Sequence, residues 1–285
     1  MAERLADLVA QIENVRQLDA VVAAMRGIAA SRAQNGRSML PGVEAYTEVV
    51  SRGIGEALTL LGGEPPAPAP HDGARRGLIL FCAEQGFAGA FSQRVLDAAG
   101  ALAPDTVVLL VGSRGSVVAE ERGLKVDWAS AMATHAAAVP SLADRLAEAL
   151  YQRIEEDQLV RVDIIHPKSA AAGQVEVVSQ SLLPLDFERF SPPNRNQPPL
   201  IDLQPATLLE RLATEYVYAQ LCEAAMHAFA AENEARVLEM AGAKTNIEAK
   251  LSTLTDRERQ LRQSEITTEI IELAAGAEAL QEGSA

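Results

Sequence analysis

The sequence predicts a small α/β domain inserted between two long helical arms. A pattern of helical periodicity without an internal proline runs from about Thr207 to the end of the chain, and short apolar, β-branched runs cluster in the middle. A helix rises about 1.5 Å per residue, so the C-terminal pattern would span on the order of 100 Å and cannot be buried within one domain. The expected fold class is an α/β insert with long α-helical arms. In it the N- and C-terminal helices form an antiparallel coiled coil beside a small Rossmann-like domain.

Residues 1–61 are predicted to form the N-terminal coiled-coil helix. Apolar residues recur at steps of three and four, which is typical of a helix packed lengthwise on another helix. Pro41-Gly42 interrupts the pattern, and a kink or break is expected there because proline removes a helical hydrogen bond. The predicted seam, meaning the face that packs on the partner helix, contains Leu5, Leu8, Ile12, Val15, Leu18, Val22, Met25 and Ala29.

Residues 75–188 are predicted to form the central α/β domain. Gly77–Ala83 and Thr106–Val111 are short apolar runs typical of buried parallel strands. The intervening Phe91–Leu102 fits a crossover helix, which gives a β-α-β unit. Further predicted helices are Ser113–Arg122 and Ser141–Asp157, and further predicted strands are Lys125–Trp128, Arg161–His166 and Gln174–Leu182.

Residues 189–206 are a predicted proline-rich linker, and residues 207–285 are the predicted C-terminal coiled-coil helix. Alanine dominates the first half of this helix, where a close helical neighbour is geometrically easiest, and the expected neighbour is the N-terminal arm in antiparallel orientation. The repeating apolar or small positions are Ala224, Ala228, Ala231, Ala235, Leu238, Ala241, Thr245, Ala249, Leu254, Leu261, Ile266, Ile270 and Leu273.

The composition argues against nucleic-acid or lipid binding. The formal net charge is −14, whereas nucleic acids and acidic membranes select basic surfaces. No apolar run approaches the roughly 20 residues needed to span a bilayer, and the acidic start lacks the order of a secretory signal. Cys82 ends an apolar run far from Cys222, so a buried free thiol is expected. A cytosolic chain without direct membrane insertion is predicted.

The segment Ala83–Ser92 follows a strand and opens a helix, where a dinucleotide fold places its phosphate loop. It carries Gly86 and Gly89 as G-x-x-G without a Walker lysine, and Glu84 would repel a phosphate. A tight turn that packs helix on sheet is therefore favoured over nucleotide binding.

Other candidate catalytic or metal-binding residues are sparse. Ser113 is interpreted as a helix N-cap in preference to an anion site. The four histidines lie apart and none pairs with another at a spacing typical of zinc ligands. No catalytic residue, cofactor or metal is expected. The histidines are His71, His135, His166 and His227.

The end of the C-terminal helix permits two interpretations. It could be a solvated helix with internal ion pairs such as Glu258–Arg262. Alternatively, Arg262 and Gln263 could face a partner protein through polar contacts. Beyond them Ile266, Ile270 and Leu273 form an apolar stripe that needs a hydrophobic cover.

Three segments of the chain form a recognisable set. The closing run 262–280 reads RQSEITTEIIEL, then AAGAEAL; residues 231–236 read AENEAR; and residues 25–32 read MRGIAASR. Together they resemble the gamma subunit of the F-type rotary ATP synthase, and the similarity covers nearly the whole chain. Segments of the insert follow the order of that family at 85–92, 112–115, 140–144 and 182–185.

The resemblance implies a central rotor shaft without an active site of its own. The shaft would couple ion flow through the membrane c-ring to ATP synthesis or hydrolysis in the ring of alpha and beta subunits, with epsilon as a further partner. It places Arg262 and Gln263 where the shaft contacts a loop of beta. The expected seam of the rotor coiled coil contains Met25, Ile28, Ala29, Ile266 and Ile270. The resemblance also implies that the complex lies at the cytoplasmic face of a bacterial inner membrane, with this chain as a peripheral subunit.

Two departures from the family pattern indicate a divergent bacterial copy. The arginines of the N-terminal arm are nearly balanced by acids, and Gln85 and Ala90 stand where the family commonly has Arg and Gly. We hypothesise an alternate, separately encoded ATPase that pumps sodium. Two other functions stay open from sequence: a small-molecule enzyme built on the insert, and a self-associating coiled-coil scaffold.

Overall fold

The computed structural model describes residues 5–61, 75–157, 159–170, 175–190 and 199–282, with side chains described to residue 275. The chain divides into two compact units, Met1–Gly27 with Glu239–Ala285 and Ile28–Leu238. The helices are α1 (Leu5–Leu60), α2 (Phe91–Ala99), α3 (Ser113–Glu121), α4 (Val139–Asp157) and α5 (Pro205–Glu282). The strands are β1 (Arg75–Phe81), β2 (Val107–Val111), β3 (Trp128–Ser130), β4 (Leu159–Ser169) and β5 (Val175–Leu183), and 3₁₀ turns lie at Ala136–Ala138 and Phe187–Arg189.

The described strands of the larger unit form one sheet in the order β3-β2-β1-β4-β5. β1 to β4 are parallel, and β5 is antiparallel to β4. The predicted β-α-β unit is confirmed, since β1 pairs in parallel with β2 after the crossover helix α2. The third strand begins at Trp128, so its predicted range of Lys125–Trp128 was too early.

Both faces of the sheet are covered by helices, which explains why its strands read as continuous apolar runs. Leu78 and Leu80 face α2 and α3, whereas Ile79 and Phe81 face a larger core on the opposite side. That larger core includes residues of α4 and of the middle of α5: Leu142, Leu146, Leu150, Val217, Leu221, Ala225 and Phe229.

The alanine-rich half of α5 packs on the sheet as well as on α1. Its residues between Val217 and Ala231 are mostly buried on every side, and a helix that is apolar all round belongs inside a core. The predicted neighbour was the N-terminal arm, and the sheet is a second neighbour that the sequence did not indicate. Small side chains at Ala224 and Ala228 let both layers approach.

Helix α1 contacts α5 in the larger unit through residues spaced by seven. Gly36 marks the closest approach, because a Cβ there would lie 3.1 Å from both Ala230 Cβ and Phe229 Cδ1. Pro41 and Gly42 lie on the exposed side of α1 and do not break the helix. A break at this point is therefore wrong, whereas the kink that was expected as the other outcome stays a prediction. The buried or partly buried positions are Ala29, Gly36, Val43, Val50 and Ala57.

The smaller unit is an antiparallel helix pair. Leu8 and Ile12 pack with Leu254, whereas Val22 packs with Met240 and Ile247, so rising numbers on α1 meet falling numbers on α5. The α5 positions Met240, Ile247, Leu254 and Leu261 are seven residues apart, as in a coiled coil.

Predicted seam positions on both helices of this unit are exposed. Leu18 is 51% exposed, and half-buried Asp19 lies on the inner face in its place. On α5, Thr245 and Ala249 are exposed and Ile247 is buried between them. Predicted linker residues 191–198 lie outside the described residues, and the division into four segments stays a prediction.

Candidate functional site

The carboxyl edge of the parallel strands is the place where an α/β sheet usually binds a ligand, and here the chain's own carboxylates accept hydrogen bonds from backbone donors of that edge. Glu84 follows β1 and accepts hydrogen bonds from Ser113 N at 2.9 Å, Ser113 Oγ at 2.8 Å and Met132 N at 2.8 Å. A carboxylate at the start of α3 also complements the helix dipole. Glu84 therefore ties together the segments that follow β1, β2 and β3.

Ser113 is not the N-cap of α3, contrary to the sequence prediction. Gly112 holds that position with φ 116, a value that favours glycine. A Cβ at Gly112 would lie 2.4 Å from Cys82 O, so no larger residue fits. Glu84 reaches across from the neighbouring turn and supplies the carboxylate cap that Gly112 lacks.

A second carboxylate occupies the turn that resembles a phosphate loop. Glu84 N and Gln85 N each donate to the Glu232 carboxylate at 3.1 Å. Glu232 lies on α5 and is 3% exposed. Consecutive backbone N–H groups of this kind form an anion-binding nest, and its anion here is a side chain of the same protein. The tight turn expected from sequence is present, with its donors already used.

Arg236 completes this contact one helical turn further along α5. It pairs with Glu232 at 2.5 Å and donates from Nε to Gly86 O at 3.2 Å and from Nη2 to Gln85 O at 3.4 Å. Nη1 donates to Asn233 Oδ1 at 3.1 Å. The arginine is 5% exposed, so this ion pair is buried and its donors are used within the protein. We call Glu232, Arg236 and the turn 84–86 the clamp.

Two histidines that are 61 positions apart in the sequence come together beside the sheet. The His166 and His227 rings stack with centroids 5.6 Å apart. Burial lowers the pKa of each to about 4. His227 Nε2 has no hydrogen-bond partner and lies 4.0 Å from Glu223 Oε1, and burial raises the pKa of that carboxyl. Sequence reasoning missed this pair because spacing carries no signal of it.

The remaining candidate chemistry is inert. Among the residues that the structure describes, no group of His, Cys, Asp and Glu is arranged to hold a metal ion; His71 lies outside those residues. Cys82 and Cys222 are buried free thiols, as predicted for Cys82. Burial, followed by the nearby Glu232 carboxylate, raises the pKa of Cys82 to about 12. Such a thiol is not a nucleophile at neutral pH.

The far end of α5 carries exposed apolar side chains. Ile266, Ile270 and Leu273 are 51%, 60% and 69% exposed, and Ile271, which the sequence analysis did not select, is 61% exposed. Large apolar side chains this exposed on one helix indicate a surface that a partner covers. We call residues 262–273 the terminal surface.

Arg262 and Gln263 begin the terminal surface, and both are exposed. Arg262 donates to Glu258 Oε1 at 2.5 Å, so the internal ion pair considered from sequence is present. A pair this exposed contributes little to stability, about 0.3–0.5 kcal/mol. Its arginine can therefore exchange partners at low cost.

The predicted rotor seam divides into buried and exposed members. In the larger unit Ala29 is 1% exposed, whereas Ile28 is 56% exposed and does not lie in the seam. In the smaller unit Met25 is partly buried against the cluster of Val22. Ile266 and Ile270 are 51% and 60% exposed, so the structure places them on the surface and not in a buried seam. Apolar residues at steps of three and four can be assigned to either of two neighbouring stripes on the helix surface. Ile28 was therefore assigned to the seam although it lies on the exposed stripe next to it.

Comparison with known proteins decides the family. A sequence model described as ATP synthase matches residues 4–280. The ATP synthase gamma chain of Frankia casuarinae is 27% identical over 100% of both chains. That of Clavibacter michiganensis subsp. michiganensis is 27% identical over 95% of both chains. The chain belongs to the ATP synthase gamma-chain family.

Solved structures agree with this fold. The rotor of Euglena gracilis mitochondrial ATP synthase superposes on this gamma-family chain with a TM-score of 0.59 at 11% identity, covering 92% of this chain and 98% of the other. The central stalk of the Tetrahymena thermophila mitochondrial ATP synthase gives a TM-score of 0.53 at 16% identity, over 78% and 99%. No helix in the described ranges has an apolar stretch sufficient to cross a membrane. The gamma chain is a non-catalytic rotor subunit of its complex.

Proposed function

We propose that this chain is the central shaft of an F-type ATP synthase and couples ion flow through a c-ring to ATP synthesis or hydrolysis in an alpha/beta ring. The observation that carries the proposal is the family match over residues 4–280. The seven-residue repeat of the smaller unit supports it, since a coiled coil suits a stiff shaft. The structural neighbours are a rotor and a central stalk with its c-ring, which supports the same partners.

The mechanism needs no reactive group on this chain. A shaft that makes different contacts with the beta subunits at each angle stabilises different conformations of their sites. Rotation of the shaft thereby changes the nucleotide affinity of each beta site. The difference in affinity corresponds to a coupling free energy between the shaft contact and the distant site. The inert cysteines and the filled sheet edge fit a part that transmits force and catalyses nothing.

The terminal surface is the part that would meet the alpha/beta ring. Its apolar residues, including Ile266 and Ile270, would let the shaft turn against the ring, because apolar contacts are not directional and favour no single angle. Arg262 and Gln263 would add polar contacts to a loop of beta that form and break as the shaft turns. Exposed ion pairs suit this use because their net free energy is small.

Bacterial relatives support a location at the cytoplasmic face of a bacterial inner membrane, as a peripheral subunit beside epsilon and the c-ring. A divergent copy from an alternate, sodium-pumping ATPase remains our hypothesis for the host complex. The near balance of charge in the N-terminal arm motivates it. Sequencing the ion-binding residues of the accompanying c subunit would test it, and carboxylate surroundings typical of proton sites would contradict it.

Two observations disfavour the alternative functions. The enzyme alternative needs a free site at the sheet edge, where Glu84 and Glu232 use the backbone donors. Equilibrium dialysis with ATP and NAD should therefore detect no tight binding. The scaffold alternative predicts an intermolecular coiled coil, whereas the helices of the smaller unit pair within one chain.

Co-purification tests the proposed function directly. A tag on the N-terminus of the chain in its own host should recover alpha, beta and epsilon subunits together with the c-ring. A mock purification from the untagged strain is the control. Recovery of a homodimer without the alpha and beta subunits would contradict the proposal and favour the scaffold.

A further inference from the structure

The clamp between α5 and the turn after β1 does something that apolar packing cannot do. We propose that Glu232 and Arg236 form the joint that fixes the α/β domain in one rotational position on α5, so that torque passes between domain and helix at this contact. This inference rests on the proposed shaft function. A shaft that transmits torque needs a contact that prevents α5 from rotating relative to the α/β domain, and the geometry of the clamp suits this role.

Apolar packing alone gives a less specific lock here than hydrogen bonds do. The core-facing part of α5 combines the small Ala224, Ala225 and Ala228, whose methyl groups form low ridges, with the larger Leu221 and Phe229. Interlocking ridges and grooves set how two packed elements resist sliding, and helices in other proteins move past a neighbour by one turn. Apolar burial is non-directional, so these core side chains oppose rotation about the helix axis through their shape and fix its angle less sharply than aligned hydrogen bonds.

The hydrogen bonds of the clamp depend on the orientation of α5, unlike the apolar contacts. Two N–H groups of the turn donate to Glu232, and Arg236 donates to two carbonyls of the same turn, at distances of 3.1–3.4 Å. Hydrogen bonds weaken steeply once the donor angle falls away from linear. A small rotation of α5 would misalign these four bonds together, and the buried side chains of Glu232 and Arg236 would lose their partners.

Both sides of the clamp are braced. Asn233 receives a hydrogen bond from Arg236 and donates its own to Phe229 O at 2.8 Å, which holds the guanidinium against the helix. On the other side Glu84 binds Ser113 and Met132. Load on the turn therefore spreads to the ends of β2 and β3 and to α3.

The energetics favour a positional role over a stabilising one. A buried ion pair gains little net stability, because desolvation offsets the attraction, yet removing one partner is strongly destabilising because it leaves the other charge buried and unpaired. Buried polar groups can instead specify a unique arrangement of packed elements. Glu232 and Arg236, at 3% and 5% exposed, are groups of this type.

The first experiment tests the contact itself. Glu232→Ala leaves two N–H groups and Arg236 without their carboxylate, so the melting temperature of the purified chain should fall by roughly 10 °C. Sodium acetate should restore part of this loss more effectively than sodium chloride at equal ionic strength, because acetate can replace the missing carboxylate. Glu120→Ala, which removes an exposed carboxylate from α3, is the matched control and should leave the melting temperature unchanged.

The second experiment tests torque in the assembled complex. Glu232→Gln keeps the shape but presents an amide donor toward the donors of the turn, and it deprives Arg236 of its charge partner. In membrane vesicles the ions pumped per ATP hydrolysed should fall by roughly twofold or more, while hydrolysis continues. The Glu120→Ala complex should pump like wild type.

The outcomes separate the joint from the proposed function. A Glu232→Ala chain as stable as Glu120→Ala would overturn the clamp, and a Glu232→Gln complex that pumps fully would overturn its part in torque. Acetate rescue with reduced pumping would support both. If the wild-type chain does not co-purify with alpha and beta, the shaft function fails, and the melting and acetate results still decide whether the clamp exists.

Discussion

His166 on β4 and His227 on α5 stack with their ring planes 17° apart and their centroids 5.6 Å apart. Their neighbours include Lys168, which lowers the pKa of both rings, and Glu223, beside which Glu44 is a further acid. Burial is the largest cause of the lowered values. The pair thus joins the sheet to α5 with two neutral rings, and it makes the stability of the larger unit sensitive to acid.

We predict that this unit loses stability as the pH falls from 6.5 to about 4. The unfolded imidazoles take up protons below 6.5, whereas the folded ones stay neutral until about pH 4, so protonation favours unfolding in that window. For His166 the loss is on the order of 3 kcal/mol. His166→Gln or His227→Gln should flatten the decline of melting temperature across this window. The exposed His135→Gln is the control, and an equal flattening there would contradict the assignment.

Gly36 and Gly42 should respond to substitution in opposite directions. A side chain at Gly36 would meet Ala230 and Phe229 at 3.1 Å, whereas Gly42 has no neighbouring atom within 4 Å. Gly36→Leu should cost about 1–3 kcal/mol of unfolding free energy through overpacking, and Gly42→Ala should gain about 0.5–1 kcal/mol through helix propensity. Urea unfolding followed by circular dichroism measures both. Equal effects at the two sites would refute the close approach of α1 and α5.

Arg262→Ala combined with Gln263→Ala should lower ATP turnover by the assembled complex without unfolding the chain. The structural cost is small, because the lost ion pair with Glu258 contributes about 0.3–0.5 kcal/mol. The matched control is Arg259→Ala with Gln260→Ala, since Arg259 makes a similar exposed pair with Asp256. Steady-state ATP hydrolysis compares the two double variants. Unchanged turnover in the first would show that this contact carries no coupling.

Ile270→Asp should weaken retention of the chain by the alpha and beta subunits while leaving its own melting temperature unchanged. Ile270 is 60% exposed, so a charge there should cost stability mainly where a partner desolvates it. Thr268→Asp adds the same charge at another exposed position of the helix. Subunit recovery after salt washes is the measurement. A similar loss from Thr268→Asp would mean that the apolar surface has no special part in assembly.

Periodicity predicted the elements well and their faces less well. β1, α2, β2 and α4 lie close to their expected ranges because short apolar runs and flanking turns are local signals. The predicted seam was wrong at Leu18 and Ile28 because an apolar residue beside the seam has the same three- and four-residue spacing as one within it. The packing of α5 on the sheet was missed, since alanines fit any close neighbour.

The internal contacts of the sheet edge were beyond sequence reasoning. Glu84 was recognised as unfavourable for phosphate, but its bonds to Ser113 and Met132 join segments far apart in the chain. Glu232 and Arg236 drew notice through family resemblance, which gives no partner for either. A buried ion pair at a spacing of four looks the same in sequence as a solvated one.

The seven-residue spacing in the smaller unit limits how this protein can change length. Leu8, Val15 and Val22 face Met240, Ile247 and Leu254 on a chain that runs the other way. One extra residue in either helix of the pair would rotate every later side chain by about 100° around the helix axis and bring polar groups inward. An insertion or deletion within the paired region therefore keeps the packing only if whole heptads change in both helices at the same level, which couples the evolution of two segments that lie far apart in the sequence.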